Sequence, residues 1–156
     1  MTLANKVRQK LSESPAADAR HDFNVADDAG EWSLYLTAER RDAWTTVAWE
    51  LSLRRAHGNG DVAAWAKQIA DNAGGLLEPL RVVEVDAPRN QALLRSNPPT
   101  ERDGKVFYYE AVLQGTGSAL VRRFEGTHVS GKREQVAFAL TNEVLANFVG
   151  VVASAS

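Results

Sequence analysis

The chain has 156 residues, of which 44% are hydrophobic and 24% are charged, and its formal net charge is −2. This length suits one domain with its own core, and the near-average composition argues against global disorder. A dedicated nucleic-acid-binding protein would carry a basic excess for phosphate contacts, and none is present. We therefore expect a single domain over residues 1–156 with no nucleic-acid partner.

The chain contains no cysteine. Disulfides, thiolate nucleophiles, cysteine-based zinc sites and iron–sulfur clusters are therefore excluded. Residues 1–15 lack the apolar run of a secretory signal, and no stretch approaches the roughly 18 consecutive apolar residues of a transmembrane helix. These features predict a cytoplasmic protein with no membrane partner and no cofactor.

The first predicted element is a helix near residues 2–13, in which Leu3, Val7 and Leu11 recur every four residues and form an apolar stripe. A short strand at 21–25 follows it. The predicted helix is short and amphipathic, so we expect it to pack its stripe against the rest of the protein.

The next predicted element is a hairpin. Apolar and polar side chains alternate over residues 32–37 and 45–54, as in half-buried strands, and the polar residues 39–42 lie between them. If that polar segment closes the hairpin, Trp32 faces Trp49 and the large apolar side chains share one face. Register is well specified when one face is buried, so we expect this pairing.

A second helix, capped by Asp61, is expected near 61–73. The remaining predicted elements are strands at 80–85, 105–113, 119–125 and 133–140, an ambiguous segment at 91–95, a loop at 96–104, a turn at 130–131 and a helix near 142–153. Helices and strands do not alternate as in a parallel fold. The order predicts an α+β protein with one curved antiparallel sheet of about six to eight strands and its helices mainly on one face.

Tyr108, Glu110 and Arg123 form the candidate ligand-binding residues. With a two-residue turn at 116–117, Glu110 faces Arg123 across the hairpin, and Tyr108 lies on the same face. In a cleft, a carboxylate, a guanidinium and a phenol can bind a polar ligand or perform acid–base chemistry. On an open surface the same pair only stabilises the sheet.

The metal-ligating residue types have no recognisable metal-site spacing. Asp18, His21 and Asp22 lie close together, but they match no zinc or calcium signature. We interpret them as a solvated polar segment and predict no metal site.

Trp44 is the candidate interface residue. Three of the four tryptophans fall on predicted apolar faces, whereas Trp44 falls on a polar strand face. An exposed tryptophan there would contact a partner, and a closed homodimer is the commonest arrangement. In the alternative, the N-terminal helix covers Trp44.

No catalytic motif occurs in the chain. The sequence favours a non-catalytic binding protein that engages a protein partner. One alternative is a small-molecule-binding protein with a pocket between sheet and helices, and the other is an enzyme that uses carboxylate and tyrosine groups for acid–base chemistry.

Overall fold

A computed structural model describes residues 1–58, 60–127 and 131–154, which contain three helices and ten strands. The helices are α1 (Leu3–Glu13), α2 (Val62–Asn72) and α3 (Asn142–Val152). The strands are β1 (His21–Ala26), β2 (Trp32–Arg41), β3 (Thr45–Arg55), β4 (Leu80–Asp86), β5 (Gln91–Ser96), β6 (Thr100–Arg102), β7 (Lys105–Gln114), β8 (Ser118–Thr127), β9 (Arg133–Val136) and β10 (Phe138–Thr141).

All three predicted helices are confirmed, and their ends differ from the prediction by at most one residue. Each helix begins after a residue whose side-chain oxygen accepts a backbone N–H of the first turn, which satisfies one of the free donors there. The capping residues are Thr2, Asp61 and Thr141.

The strands form one antiparallel sheet in the order β1-β2-β3-β8-β7-β5-β4, with three shorter strands attached to it. The predicted α+β class is confirmed, but the sheet has ten strands rather than six to eight. The difference arises because β6 lies in the predicted loop 96–104 and the predicted strand 133–140 divides into β9 and β10. The turn expected at 130–131 lies partly outside the described residues.

The two halves of the sheet diverge between β3 and β8. Only residues 51–54 of β3 pair with β8, whereas residues 45–48 pair with β10. On the other side of the gap, β9 pairs with residues 123–126 of β8. The segment β9–β10 therefore fills the space that opens as β3 and β8 separate.

The predicted pairing of Trp32 with Trp49 is wrong. Trp32 lies opposite Arg55, because β2 continues through the predicted loop to Arg41 and the chain turns at residues 42–44. The register also shifts at a bulge that leaves Trp49 without a partner on β2. A bulge changes the face to which the following residues point. Trp49 is consequently half-buried outside the core.

One apolar cluster joins all three helices to one face of the sheet. Its members include Leu3, Val7, Leu34, Leu51, Trp65, Leu94, Leu113 and Phe148. The opposite face, called the open face below, carries Tyr108, Glu110 and Val112, which alternate along β7 with buried residues of the cluster. The side chains that can reach a ligand or a partner therefore lie on the open face and at the ends of the helices and strands.

Candidate functional site

The turn between β7 and β8 decides which of the predicted site residues meet. It contains three residues, 115–117, instead of the predicted two, and Gly115 has a φ of 52°, which glycine adopts without strain. The additional residue shifts the register by one, so Glu110 lies opposite Arg122. Neighbouring strand residues point to opposite faces. Glu110 and Arg123 are therefore on opposite sides of the sheet, and their predicted pairing is wrong.

Arg123 instead forms a buried ion pair with Glu78. Its Nη1 and Nη2 atoms each lie 2.9 Å from a carboxylate oxygen of Glu78, which also accepts hydrogen bonds from Ser96 Oγ at 2.8 Å and Thr100 Oγ1 at 2.5 Å. Burial alone would raise the pKa of Glu78, but the hydrogen bonds from Arg123, Thr100 and Ser96 lower it below its ordinary value. The pair ties the segment before β4 to the centre of the sheet.

Glu110 lies on the open face within a cluster of two arginines, called the Glu110 cluster below. Arg133 donates to both carboxylate oxygens at 2.7 and 3.2 Å, and Arg95 donates from Nη2 at 3.0 Å. Arg133 also donates to the Tyr108 hydroxyl at 3.4 Å, and the Arg95 guanidinium lies 5.0 Å from the Tyr108 ring centroid. The structure thus brings Tyr108 and Glu110 together and replaces the predicted Arg123 by Arg95 and Arg133.

The electrostatics of this cluster define what Glu110 can do. Burial would raise its pKa, but the hydrogen bonds from Arg133 and Arg95 hold the pKa below the ordinary value. The carboxylate is therefore ionised at neutral pH, and both oxygens already accept hydrogen bonds. Such a group is suited to fixing the two guanidiniums and is poorly suited to acid–base catalysis.

Acid should destabilise the fold through these two carboxylates. Because the folded-state pKa values of Glu78 and Glu110 are lowered from 4.5, their contribution is complete above the unfolded-state pKa and is lost as the pH falls below about 4.5. Urea unfolding between neutral pH and about pH 3 should show a falling free energy of unfolding. The fall should be shallower in Glu110→Gln, and equal slopes in the two proteins would contradict this assignment.

A pocket of about 490 Å³ opens beside the Glu110 cluster. Val83, Pro99 and Val106 give it apolar walls, and Arg81 and Arg95 give it positive charge. The other residues that line it are Val82, Ser96, Asn97 and Tyr108. Among the described residues, none of those that line the pocket is acidic. The Nε atom of Arg95 is buried without a hydrogen-bond partner. The arrangement combines an apolar cavity with a few fixed polar groups, as small-molecule sites do.

Trp44 lies in the turn between β2 and β3 rather than on a strand, and 81% of it is exposed. The N-terminal helix does not cover it, so that alternative is wrong. A groove of about 410 Å³ lies beside it, between the turn, α1 and the beginning of α3. This exposed indole next to a groove is the second candidate site.

Three charged residues of these clusters were not predicted from the sequence, namely Glu78, Arg95 and Arg133. Glu78 lies in a loop without any periodic pattern, and Arg95 lies in the segment that was ambiguous between strand and helix. Arg133 approaches Glu110 only because β9 pairs with β8, with Arg133 opposite Gly126. Arg95 lies directly opposite Glu110 in the pairing of β5 with β7. Side chains of directly opposite residues share a face of the sheet, so this pairing is the signal that would have predicted the contact.

Within the described residues, no group of three or more histidine, aspartate and glutamate side chains is arranged to hold a metal ion. None of the helices in those residues has the length and hydropathy needed to cross a membrane. Comparison of the chain with protein-family models, curated proteins and solved structures finds no match. What the protein can bind or do therefore follows from the chemistry of the two candidate sites.

Proposed function

We propose that the protein is a non-catalytic binding protein that takes a small organic carboxylate with an apolar body into the pocket beside the Glu110 cluster. The observation that carries the proposal is the combination of apolar walls with two arginines in one cavity. The cavity volume, about 490 Å³, lies within the range of roughly 300–1,000 Å³ typical of ligand sites. The apolar body would lie against Val83, Pro99 and Val106.

The charge balance favours an anion. Two guanidiniums, of Arg95 and Arg133, share the single carboxylate of Glu110, so the cluster keeps an excess positive charge. Arg81 adds a further positive charge at the pocket. Charge-assisted hydrogen bonds from arginine to a carboxylate are roughly twice as strong as neutral ones. A ligand carboxylate would therefore bind where positive charge attracts it and where the guanidinium groups that donate to it are already held in place.

Binding is favoured over catalysis because the buried carboxylate of the Glu110 cluster is fully engaged. Both oxygens of Glu110 accept hydrogen bonds from arginine, and its pKa is lowered. A general base would need a free oxygen and a pKa near the working pH. In this proposal Glu110 is a positioning residue that orients Arg95 toward the ligand.

The proposal is tested with octanoate as the probe and octan-1-ol as its neutral match. Octanoate should bind in isothermal titration and raise the melting temperature, because a ligand that binds only the folded state stabilises it. Octan-1-ol should bind at least about tenfold more weakly, since it lacks the charge that the arginines recognise. Arg81→Gln should weaken octanoate binding about tenfold and leave octan-1-ol binding unchanged.

The matched control is Arg54→Gln, which removes an arginine that stacks 5.2 Å from the Tyr35 ring centroid and does not line the pocket. It should bind octanoate as the wild type does. Equal affinities for octanoate and octan-1-ol, equal effects of the two arginine variants, or no binding of octanoate at millimolar concentration would each contradict the proposal.

The second candidate function is engagement of a protein partner, favoured by the exposure of Trp44. A tryptophan of this exposure on a turn is typical of an interface anchor rather than of a folded core. We also propose a cytoplasmic location, which cell fractionation tests, and a single-domain organisation, which limited proteolysis tests.

A further inference from the structure

Trp44 is presented on a turn whose backbone is fixed from both sides. The Asp42 Oδ1 atom accepts hydrogen bonds from the backbone N–H groups of Trp44 and Thr45, both at 2.8 Å. The backbone N–H of Asn142 donates to the Trp44 carbonyl at 2.8 Å, and Asn142 Nδ2 donates to the Ala43 carbonyl at 3.2 Å. The base of the indole is therefore ordered in advance, so little backbone entropy is lost when the side chain is buried.

The groove beside Trp44 is built from the end of α1 and the start of α3. Leu11 and Ser12 contribute from α1, Thr141 and Asn142 from the start of α3, and the turn itself forms the remaining wall. Its volume is about 410 Å³. An indole side chain is smaller than that, so the groove can receive a tryptophan from another molecule.

The rim of the groove carries one charge of each sign. Arg8 donates to the Glu143 carboxylate at 3.1 Å, and both side chains remain partly exposed. Because the two groups balance each other, the rim does not repel its own two-fold copy, and the exposed part of each group can also face the opposite charge of the other molecule. One surface patch therefore contains an exposed indole, a groove and a rim of balanced charge.

We propose that this patch joins two copies of the chain about a two-fold axis, with Trp44 of each copy inserted into the groove of the other. An isologous contact requires that knob and groove belong to the same surface, which they do here. Two indoles supply about a quarter of the roughly 1,600 Å² that a standard interface buries. The remaining area would come from the groove rims, and with one indole from each copy as the main anchor we expect a weak dimer that dissociates in the micromolar range.

The test is sedimentation equilibrium over a wide range of protein concentrations. The wild type should change from monomer to dimer with rising concentration, and Trp44→Ala should weaken the dimer at least tenfold while its far-UV circular dichroism spectrum, which reports secondary structure, stays unchanged. The matched control is Leu77→Ala, which truncates another apolar side chain that is 72% exposed and lies outside the groove. It should dimerise as the wild type does.

A charge exchange tests whether the two rims face each other, with urea unfolding of each variant as the control because Arg8 and Glu143 also pair within one molecule. Glu143→Arg should weaken the dimer, because it places two positive groups at each rim, and the double variant Arg8→Glu/Glu143→Arg should restore it. A mass that stays monomeric at all concentrations, a dimer that Trp44→Ala leaves intact, a mass that grows beyond a dimer, or no recovery in the double variant would each overturn the proposal. None of these outcomes depends on the carboxylate pocket.

Discussion

Replacement of Arg123 by Met is expected to destabilise the protein by about 3–5 kcal/mol, the typical cost of removing one partner of a buried ion pair. Arg123 and Glu78 are each only 5% exposed, so Glu78 would be left as an uncompensated charge inside the protein. Ser96 and Thr100 would still donate to it, but two neutral hydroxyl groups cannot replace a guanidinium. Urea unfolding at pH 7 measures the loss.

The control for this prediction is the double variant Glu78→Gln/Arg123→Met. It removes both charges, and its free energy of unfolding should lie above that of Arg123→Met alone, because an uncharged amide is less costly to bury than an isolated carboxylate. A double variant at least as unstable as Arg123→Met, or a loss below about 1 kcal/mol for Arg123→Met, would show that the pair does not hold the sheet together.

Truncation of Trp65 to Ala is expected to cost about 3–5 kcal/mol, the typical range for a large buried aromatic side chain. Trp65 projects from α2 into the core, where its ring centroid lies 5.9 Å from that of Trp32. Its Nε1 atom donates to the Val152 carbonyl at 2.9 Å, which joins α2 to the end of α3. The change removes apolar packing and leaves a buried carbonyl without its donor. Urea unfolding measures both effects together.

Two further variants separate these effects. Trp65→Phe keeps most of the apolar area and loses the hydrogen bond, so it should cost about 1–3 kcal/mol, near the cost of an unsatisfied buried carbonyl. Trp44→Ala removes the same side chain from an exposed turn and should change the stability of the monomer by less than about 0.5 kcal/mol. Equal losses for the two alanine variants would be incompatible with the described burial.

The helices and the fold class could be predicted because they depend on local signals. The apolar stripe of α1, the capping side chain of Asp61 and the alternating pattern of β2 each occur within one short segment. Such signals survive in a single sequence because neighbouring residues decide them. The division of the last predicted strand into β9 and β10 could not be predicted from local signals, because it depends on the gap that opens between β3 and β8.

The pairings failed because a register depends on a single residue in a turn. The hairpin between β2 and β3 turns at 42–44 rather than 39–42, and the turn between β7 and β8 has one residue more than predicted. A shift of one residue moves every side chain of a strand to the other face. The open-face site was therefore predicted with Tyr108 and Glu110 correctly on one side and Arg123 wrongly beside them.

The packing of α1 against α3 has a consequence for the order in which the protein can acquire its structure. The contact between Arg8 and Glu143 spans 135 residues, so a ribosome needs on the order of 10 s to make the partner of α1 after α1 itself. During that time the apolar stripe of α1, formed by Leu3, Val7 and Leu11, lacks its contacts with α3. The groove beside Trp44 also contains Asn142, so it cannot form until that part of the chain has been made. In the proposed dimer, the encounter between two copies would therefore come after the synthesis of α3 in each of them.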